Sequence, residues 1–396
     1  MNKKTGQAGG LPIWKLLAFT VAGFLTIMTE TMPAGLLPQI GAGLDVSESM
    51  AGQLVTLYAL GSVLAAIPVI VATRGWNRRV LFLVGIGGLF VFNTITALST
   101  SYAVTLVARF VAGMAAGVVW GLFAGYVRRL VPPYLLGRAL AVAGVGQPVA
   151  LAVGVPLGTW LGTLFGWQGV FWIMSAVALL LLIWIRFGIP DFAGQAAGQR
   201  VPLRQVVMLP GLRSVLMALF AWILAHNTLY TYVSPFLASA GLGQRVDAVL
   251  LLFGVLAIVG IWLTGLLVDR HARRLTLVSL MVFAVATVLM GSAGQTSVVV
   301  LFGVVAWGLT FGGSPVLLQT ALMEAAGDSA DVAQSLFVTA FNLAVAGGGV
   351  VGGVWLNWYD AASLPWASLV QCLAALAIVW FASAHGFRAV RREASA

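Results

Sequence analysis

Uncharged apolar runs of about twenty residues recur from one end of this chain to the other, and they leave it few ways to fold. A helix needs about 20 apolar residues to cross a bilayer core. Twelve such runs are read at 13–38, 49–72, 80–99, 103–127, 138–162, 168–188, 213–239, 246–268, 275–294, 297–323, 332–356 and 364–387; they are called spans one to twelve below. Inside lipid, backbone polar groups find partners only within a helix or a closed barrel, and runs of this length suit the helix. An all-α integral membrane protein is therefore expected. Charge agrees: charged residues make up 8% of the chain, against about 25% in soluble domains. A water-facing enzyme surface is thereby excluded, and a hydrophobic content of 61% excludes disorder. The single cysteine, Cys372, lies in an apolar run and makes no intrachain disulfide.

The basic residues set the expected orientation, since lysine and arginine favour the cytoplasmic side. Lys3, Lys4 and Lys15 precede span one, and Arg74, Arg78 and Arg79 follow span two. Arg128, Arg129 and Arg138 follow span four; Arg186, Arg200, Arg204 and Arg213 flank the stretch 189–212. Arg270, Arg273 and Arg274 follow span eight, and Arg388, Arg391 and Arg392 come last. Of 21 basic residues, Arg245 alone falls in an opposite-side loop and Arg109 alone deep within a span, the others lying at span edges or in loops on the expected cytoplasmic side. Both termini are expected in the cytoplasm, and the net charge of +10 reads as topology rather than as a nucleic-acid surface. The loop after span ten carries Glu324, Asp328 and Asp331 with no basic residue, but acidic residues weigh little in this rule. Span one is too long, and followed by too many others, to read as a cleaved signal peptide.

Residues 189–212 hold Pro190, Asp191, Gly194, Arg200, Pro202 and Arg204 and form the one long connection. It is expected to be a cytoplasmic linker between two six-helix bundles, 1–188 and 213–396. The halves look related: Arg78-Arg79 and Arg273-Arg274 stand 195 residues apart, each after the second span of its half. Glycine-rich fifth spans recur at 144–158 and 347–353. Paired halves of this kind mark many secondary transporters, with the solute bound between them near the bilayer midplane.

An energy source follows by elimination. A P-loop needs a lysine after its glycines, and every lysine lies within the first fifteen residues. His226, His271 and His385 are scattered over separate segments, so no metal site is visible, and no G-x-S-x-G elbow is present. No cofactor is expected. Transport must draw on an ion gradient or run downhill.

Ionisable residues inside a span are costly and usually functional. Glu30 is the one acidic residue deep in a span, and Arg109 the one basic residue. At about 1.5 Å of rise per residue, Glu30 lies about 12 Å below the outer end of span one and Arg109 about 9 Å below that of span four. The two can meet if those spans are neighbours. A carboxyl group that loses and regains an arginine partner as a cavity changes face can carry protons; a static ion pair fixing helix register is the alternative. Pro33, three residues on, removes a backbone donor and frees a carbonyl nearby.

Span seven offers solute-side candidates. Trp222, His226 and Tyr230 are spaced by four and share a helix face, with Asn227 beside them. Such an aromatic platform with imidazole and amide donors suits a neutral polar ligand, a sugar or a nucleoside; a buried histidine satisfied by another helix is the alternative. Trp120 falls within about 20° of Arg109 around span four. Gln147 and Asn342 are polar residues inside spans that either bind solute or bond a neighbouring helix. Gly113, Gly117, Gly121 and Gly125 recur every four residues and are expected to let another helix approach.

Three stretches resemble one family. Gly265-Leu-Leu-Val-Asp269-Arg270-His-Ala-Arg273-Arg274 resembles the G-x-L-x-D-R-x-x-R-R loop of the major facilitator superfamily; the same frame at 70–79 keeps Arg78 and Arg79 but has Arg74 in place of the aspartate. Gly144, Gly146, Pro148, Gly154, Pro156 and Gly158 are similar to the fifth-span signature of its proton antiporters, and Arg109 with Gly113 and Gly117 to its fourth-span arginine motif. Thr29-Glu30-Thr31-Met32-Pro33-Ala34-Gly35-Leu36-Leu37-Pro38 resembles the first span of the sugar- and drug-efflux branch. His226-Asn227 with Tyr230, Tyr232 and Pro235, and Asp331-Val332-Ala333 leading to Phe341-Asn342, resemble the sugar-efflux group.

The resemblance implies a twelve-helix, two-bundle facilitator fold in the bacterial inner membrane. It implies proton-coupled export of a small sugar-like or drug-like solute, with Glu30 and Arg109 coupling the proton and a cytoplasmic latch at 265–274. Protons, the solute and lipid are the expected partners. One chain supplies both halves, so a monomer is expected. A symporter or uniporter for uptake, or a membrane sensor that binds without transport, remains the alternative.

Overall fold

A computed structural model describes residues 11–66, 72–73, 75–132, 135–193, 207–293, 296–326 and 330–387. Arg74, the linker residues Gly194, Arg200, Pro202 and Arg204, Asp328 and the basic residues of both termini lie outside them, as do the side chains of Asp269, Arg270 and Asp331. Every described element is helical, and the described parts of the expected spans lie largely in helices. Among the described residues, ten stretches are long and apolar enough to cross a membrane. One of these, Arg138–Gly188, holds spans five and six and turns at Gly166, whose φ of 69° suits glycine. Spans eight and nine run on as one helical stretch with a break at His271.

Several spans are interrupted where proline or glycine weakens the backbone ladder. Span one is helical over Ile13–Thr31 and tightens to a 3-10 turn at Met32–Gly35, around Pro33. Span five passes through a π-helical turn at Ala150–Gly154. Span seven stops at Tyr230 and resumes at Val233, and span ten breaks at Gly313. Large apolar side chains such as Val107, Leu180, Trp262, Phe302 and Val370 point outward. A lipid-facing surface requires this: hydrocarbon solvates leucine as well as protein does, so helices associate by close packing rather than by hiding apolar area.

Glycines show where that packing is closest. A Cβ on Gly113 would overlap the Tyr58 carbonyl, one on Gly117 the Ser62 carbonyl, and one on Gly61 the Phe110 carbonyl, so spans two and four touch backbone to backbone. The strip does not continue as its period predicts, because Gly125 faces open space. Span five lies along span one, with Gly146 against the Thr20 carbonyl and Gly154 and Gly158 against Met28 and Met32. Two seams join the first group of helices to the second: span two on span eleven, and span five on span eight, where Gly254 meets the backbone of Ala152.

The paired arginines have related positions. The Arg78 N–H donates to the Phe192 carbonyl, while Arg79 reaches the Ile189 carbonyl by its side chain and the Asp191 carboxylate by its N–H. Arg273 donates to the carbonyls of Val379, Trp380 and Phe387. Phe192 and Phe387 are also 195 residues apart. The repeated arginines thus tie down the end of the sixth span in each half.

Candidate functional site

Glu30 is the penultimate residue of the α-helix of span one and is 5% exposed; Arg109 on span four is fully buried. The two spans bring them side by side, but not as a carboxylate–guanidinium pair. Arg109 Nη2 donates to the Thr29 carbonyl and, at 3.5 Å, to that of Glu30. Pro33 explains the acceptor, for in a continuous helix the N–H of residue 33 would fill the Thr29 carbonyl, and proline has none. The guanidinium lies 4.7 Å from the centre of the Tyr58 ring and 5.6 Å from that of Phe171, contacts that favour a desolvated cation. Arg109 Nε and Nη1 are buried without partners. Each unfilled buried donor costs about 1–3 kcal/mol.

Asn93 on span three completes the group. Its Nδ2 donates to Thr29 Oγ1 at 3.1 Å, and its Oδ1 is buried and unbonded. Tyr58 donates to the Thr26 carbonyl at 3.0 Å. Four spans therefore converge on the break in span one, leaving an unfilled acceptor, two unfilled donors and a carboxylate that accepts no hydrogen bond from a described residue. Tyr58 and Asn93 were not singled out from the sequence. Asn93 was the more visible, as a lone amide in an apolar run.

A second cluster surrounds His226, which is 4% exposed. Its ring lies flat on Phe311, with centroids 3.4 Å apart and planes 5° apart, and stacks on Tyr230 at 5.0 Å. Phe253 and Trp307 close the group at 5.9 and 5.3 Å. Trp307 Nε1 donates to His226 Nδ1 at 3.1 Å. Trp222, expected on the same face, is buried with its indole N–H unfilled, and the platform is built instead by spans eight and ten. Asn227 turns back to the Ile223 carbonyl and packs against Gly348, and Asn342 bonds the Val338 carbonyl one turn below it. Gln147 is half-buried. Trp120 packs on Phe123 with its ring edge near Gly23 of span one.

Polar contacts across the span two–span eleven seam gather at the end expected to face outward. Tyr232 Oη donates to the Gly349 carbonyl at 2.8 Å and lies 3.3 Å from the Ser49 carbonyl. Gln53 Nε2 reaches Tyr232 Oη and the Gly349 carbonyl, both at 3.2 Å, and Ser49 Oγ donates to the Gly353 carbonyl at 3.0 Å. Gly349 packs on Thr56, leaving no room for a side chain. At the opposite end Gly125, Gly144 and Gly265 each face open space.

The family model for the Major Facilitator Superfamily matches residues 19–349. The chain belongs to that superfamily. Its relatives include the purine ribonucleoside efflux pump NepI of Escherichia coli O1:K1 / APEC, 29% identical over 351 residues that cover 87% of this chain and 88% of the relative. The same-named pump of Shigella dysenteriae serotype 1 (strain Sd197) is 28% identical over 87% of this chain and 89% of its own. Among solved structures, that of a D-xylose-proton symporter superposes with a TM-score of 0.78 at 14% identity, covering 95% of this chain and 98% of the other.

This superfamily member is a multi-pass membrane transporter, not an enzyme. Within its superfamily loop signature, Arg273 bonds the end of span twelve in its own half, and Arg274 and Gly265 are exposed. The antiporter signature of span five divides by position: Gly146, Gly154 and Gly158 clasp span one, Gly144 faces open space, and Pro148 and Pro156 bracket the π-helical turn.

Proposed function

We propose that this transporter exports a small, neutral, ring-bearing solute across the bacterial inner membrane in exchange for protons, by alternating access. In this reading two six-helix bundles, 1–188 and 213–396, rock about the solute, with residues 189–212 joining them and both termini in the cytoplasm. The chain works as a monomer. A purine ribonucleoside is the first solute to try, because the relatives aligned over most of the chain carry that name.

The observation that carries the reading is the unpaired Glu30 carboxylate beside a buried guanidinium engaged with main-chain carbonyls. A carboxyl group that loses and regains an arginine partner as the bundles rock can carry a proton from one side to the other. Protonation from outside then favours one face and release inside resets the other. His226, Tyr230 and Asn227 on span seven, with Asn342, Gln147 and Trp120, bind the solute. The 265–274 loop steadies the cytoplasmic face.

Glu30→Gln tests the coupling. In inverted vesicles given labelled inosine on the outside, the variant is expected to lose the uptake driven by an acid-inside pH gradient, which corresponds to export from the cell, and to retain inosine binding. Driven export at the normal rate would remove Glu30 from the coupling role. Setting the gradient each way in the native protein separates exchange from co-transport.

A further inference from the structure

The bond between Trp307 and His226 determines which atoms the imidazole presents. An indole N–H only donates, so the nitrogen it meets must hold a lone pair. Nδ1 is that nitrogen, at 3.1 Å. A neutral imidazole with a bare Nδ1 carries its proton on Nε2, and an imidazolium, protonated on both nitrogens, breaks the bond to Trp307. Nε2 meets no acceptor among the described residues, although the ring is buried between Phe311 and Tyr230. Among the described residues, Tyr230 is the one titratable side chain in ring contact with His226, and Phe253, Trp307 and Phe311 carry no charge.

The placement suits solute recognition. Asn227, the next residue, packs against Gly348, whose neighbour Gly349 touches Thr56 across the seam between the halves. Gly254, next to Phe253, meets Ala152 across the other seam. His226 thus lies among flat rings, connected to both junctions through its neighbours Asn227 and Phe253.

Resting on the reading above that the chain carries a ring-bearing solute, we infer that Trp307 is a positioning residue that holds His226 as a fixed Nε2–H donor to an acceptor atom of that solute. His226 then recognises the solute and carries no transported proton. The solute class is a planar heterocycle with a hydrogen-bond acceptor on its edge, stacked among the rings of Tyr230, Phe253 and Phe311.

The test uses the purified full chain in nanodiscs, labelled with 15N-histidine, with His226 assigned by the signal lost in His226→Gln. At pH 7 the native protein should show a bare Nδ1 and a protonated Nε2; Trp307→Phe should give a mixture of the two tautomers. A protonated Nδ1 in the native protein would overturn the inference. Binding of inosine should weaken at least tenfold in His226→Leu, which has no donor, and stay within about threefold in His226→Gln, whose amide donates. Native affinity in His226→Leu would overturn the donor role. Gradient-driven export that vanished in His226→Gln while inosine still bound would make His226 a proton carrier and also overturn it. If inosine fails to bind the native protein, the nucleoside reading falls, and the nitrogen signals still decide whether Trp307 fixes the ring.

Discussion

Pro33 acts by what it lacks. Its missing N–H leaves the Thr29 carbonyl open, and Arg109, with no ion pair among the described residues, takes that carbonyl. Pro33→Ala would restore a donor at the right position and let span one run on as an α-helix, where alanine is favoured over proline by about 3 kcal/mol. The restored N–H would compete with Arg109 for one acceptor. Thermal stability in detergent is therefore expected to hold or rise, while export driven by a pH gradient falls at least tenfold. Driven export at the native rate in a stable Pro33→Ala protein would mean that the freed carbonyl has no part in coupling. At this scale the sequence was informative about single residues and silent about pairs. Glu30, Arg109 and Pro33 stand out because charge and proline are rare inside apolar runs. That Arg109 would choose main chain over carboxylate depends on a side-chain geometry no spacing encodes.

Span five shows how one motif divides its work along a helix. Its glycines look alike in sequence, yet a Cβ at Gly146 would overlap the backbone of Thr20 and Phe24, whereas one at Gly144 would meet nothing. The two alanine substitutions should therefore differ in sign. Gly144→Ala gains up to about 1 kcal/mol of helix propensity and should leave stability and transport near native. Gly146→Ala forces spans one and five apart at Thr20 and Phe24, at about 1–3 kcal/mol for an overpacked contact, and should lower the unfolding temperature and abolish export together. Paired measurements of unfolding temperature and vesicle transport check both, and equal effects would show that the helices are not seated on Gly146. Spans were legible because hydropathy has a length scale set by the bilayer. Interruptions at Pro33 and Gly166 follow from residue type as well. The even glycine period of span four promised a contact at Gly125 as well, where a Cβ would meet nothing.

For the molecule as a whole, the hydrogen bonds of Tyr232, Gln53 and Ser49 close one end of the span two–span eleven seam. The basic residues lead to the expectation that this end faces outward. Tyr232, Gln53 and Ser49 were invisible as partners in the sequence, because they lie about 180 and 300 residues from the groups they bond and one sequence holds no record of pairing. Their hydrogen bonds must break if the outer end is to open. A Cβ at Gly353 would stand 3.1 Å from Ser49 Oγ, within the reach of a disulfide. The double variant Ser49→Cys with Gly353→Cys should therefore oxidise readily, while native Cys372 is buried and takes no part. Once oxidised, it should accept solute from the cytoplasmic side but lose at least nine-tenths of its transport, and reductant should restore much of that loss. Either single cysteine should transport under both conditions. Full transport by the oxidised double variant, with the cross-link confirmed by mass spectrometry, would mean that this seam stays shut throughout the cycle and that solute passes by some other opening.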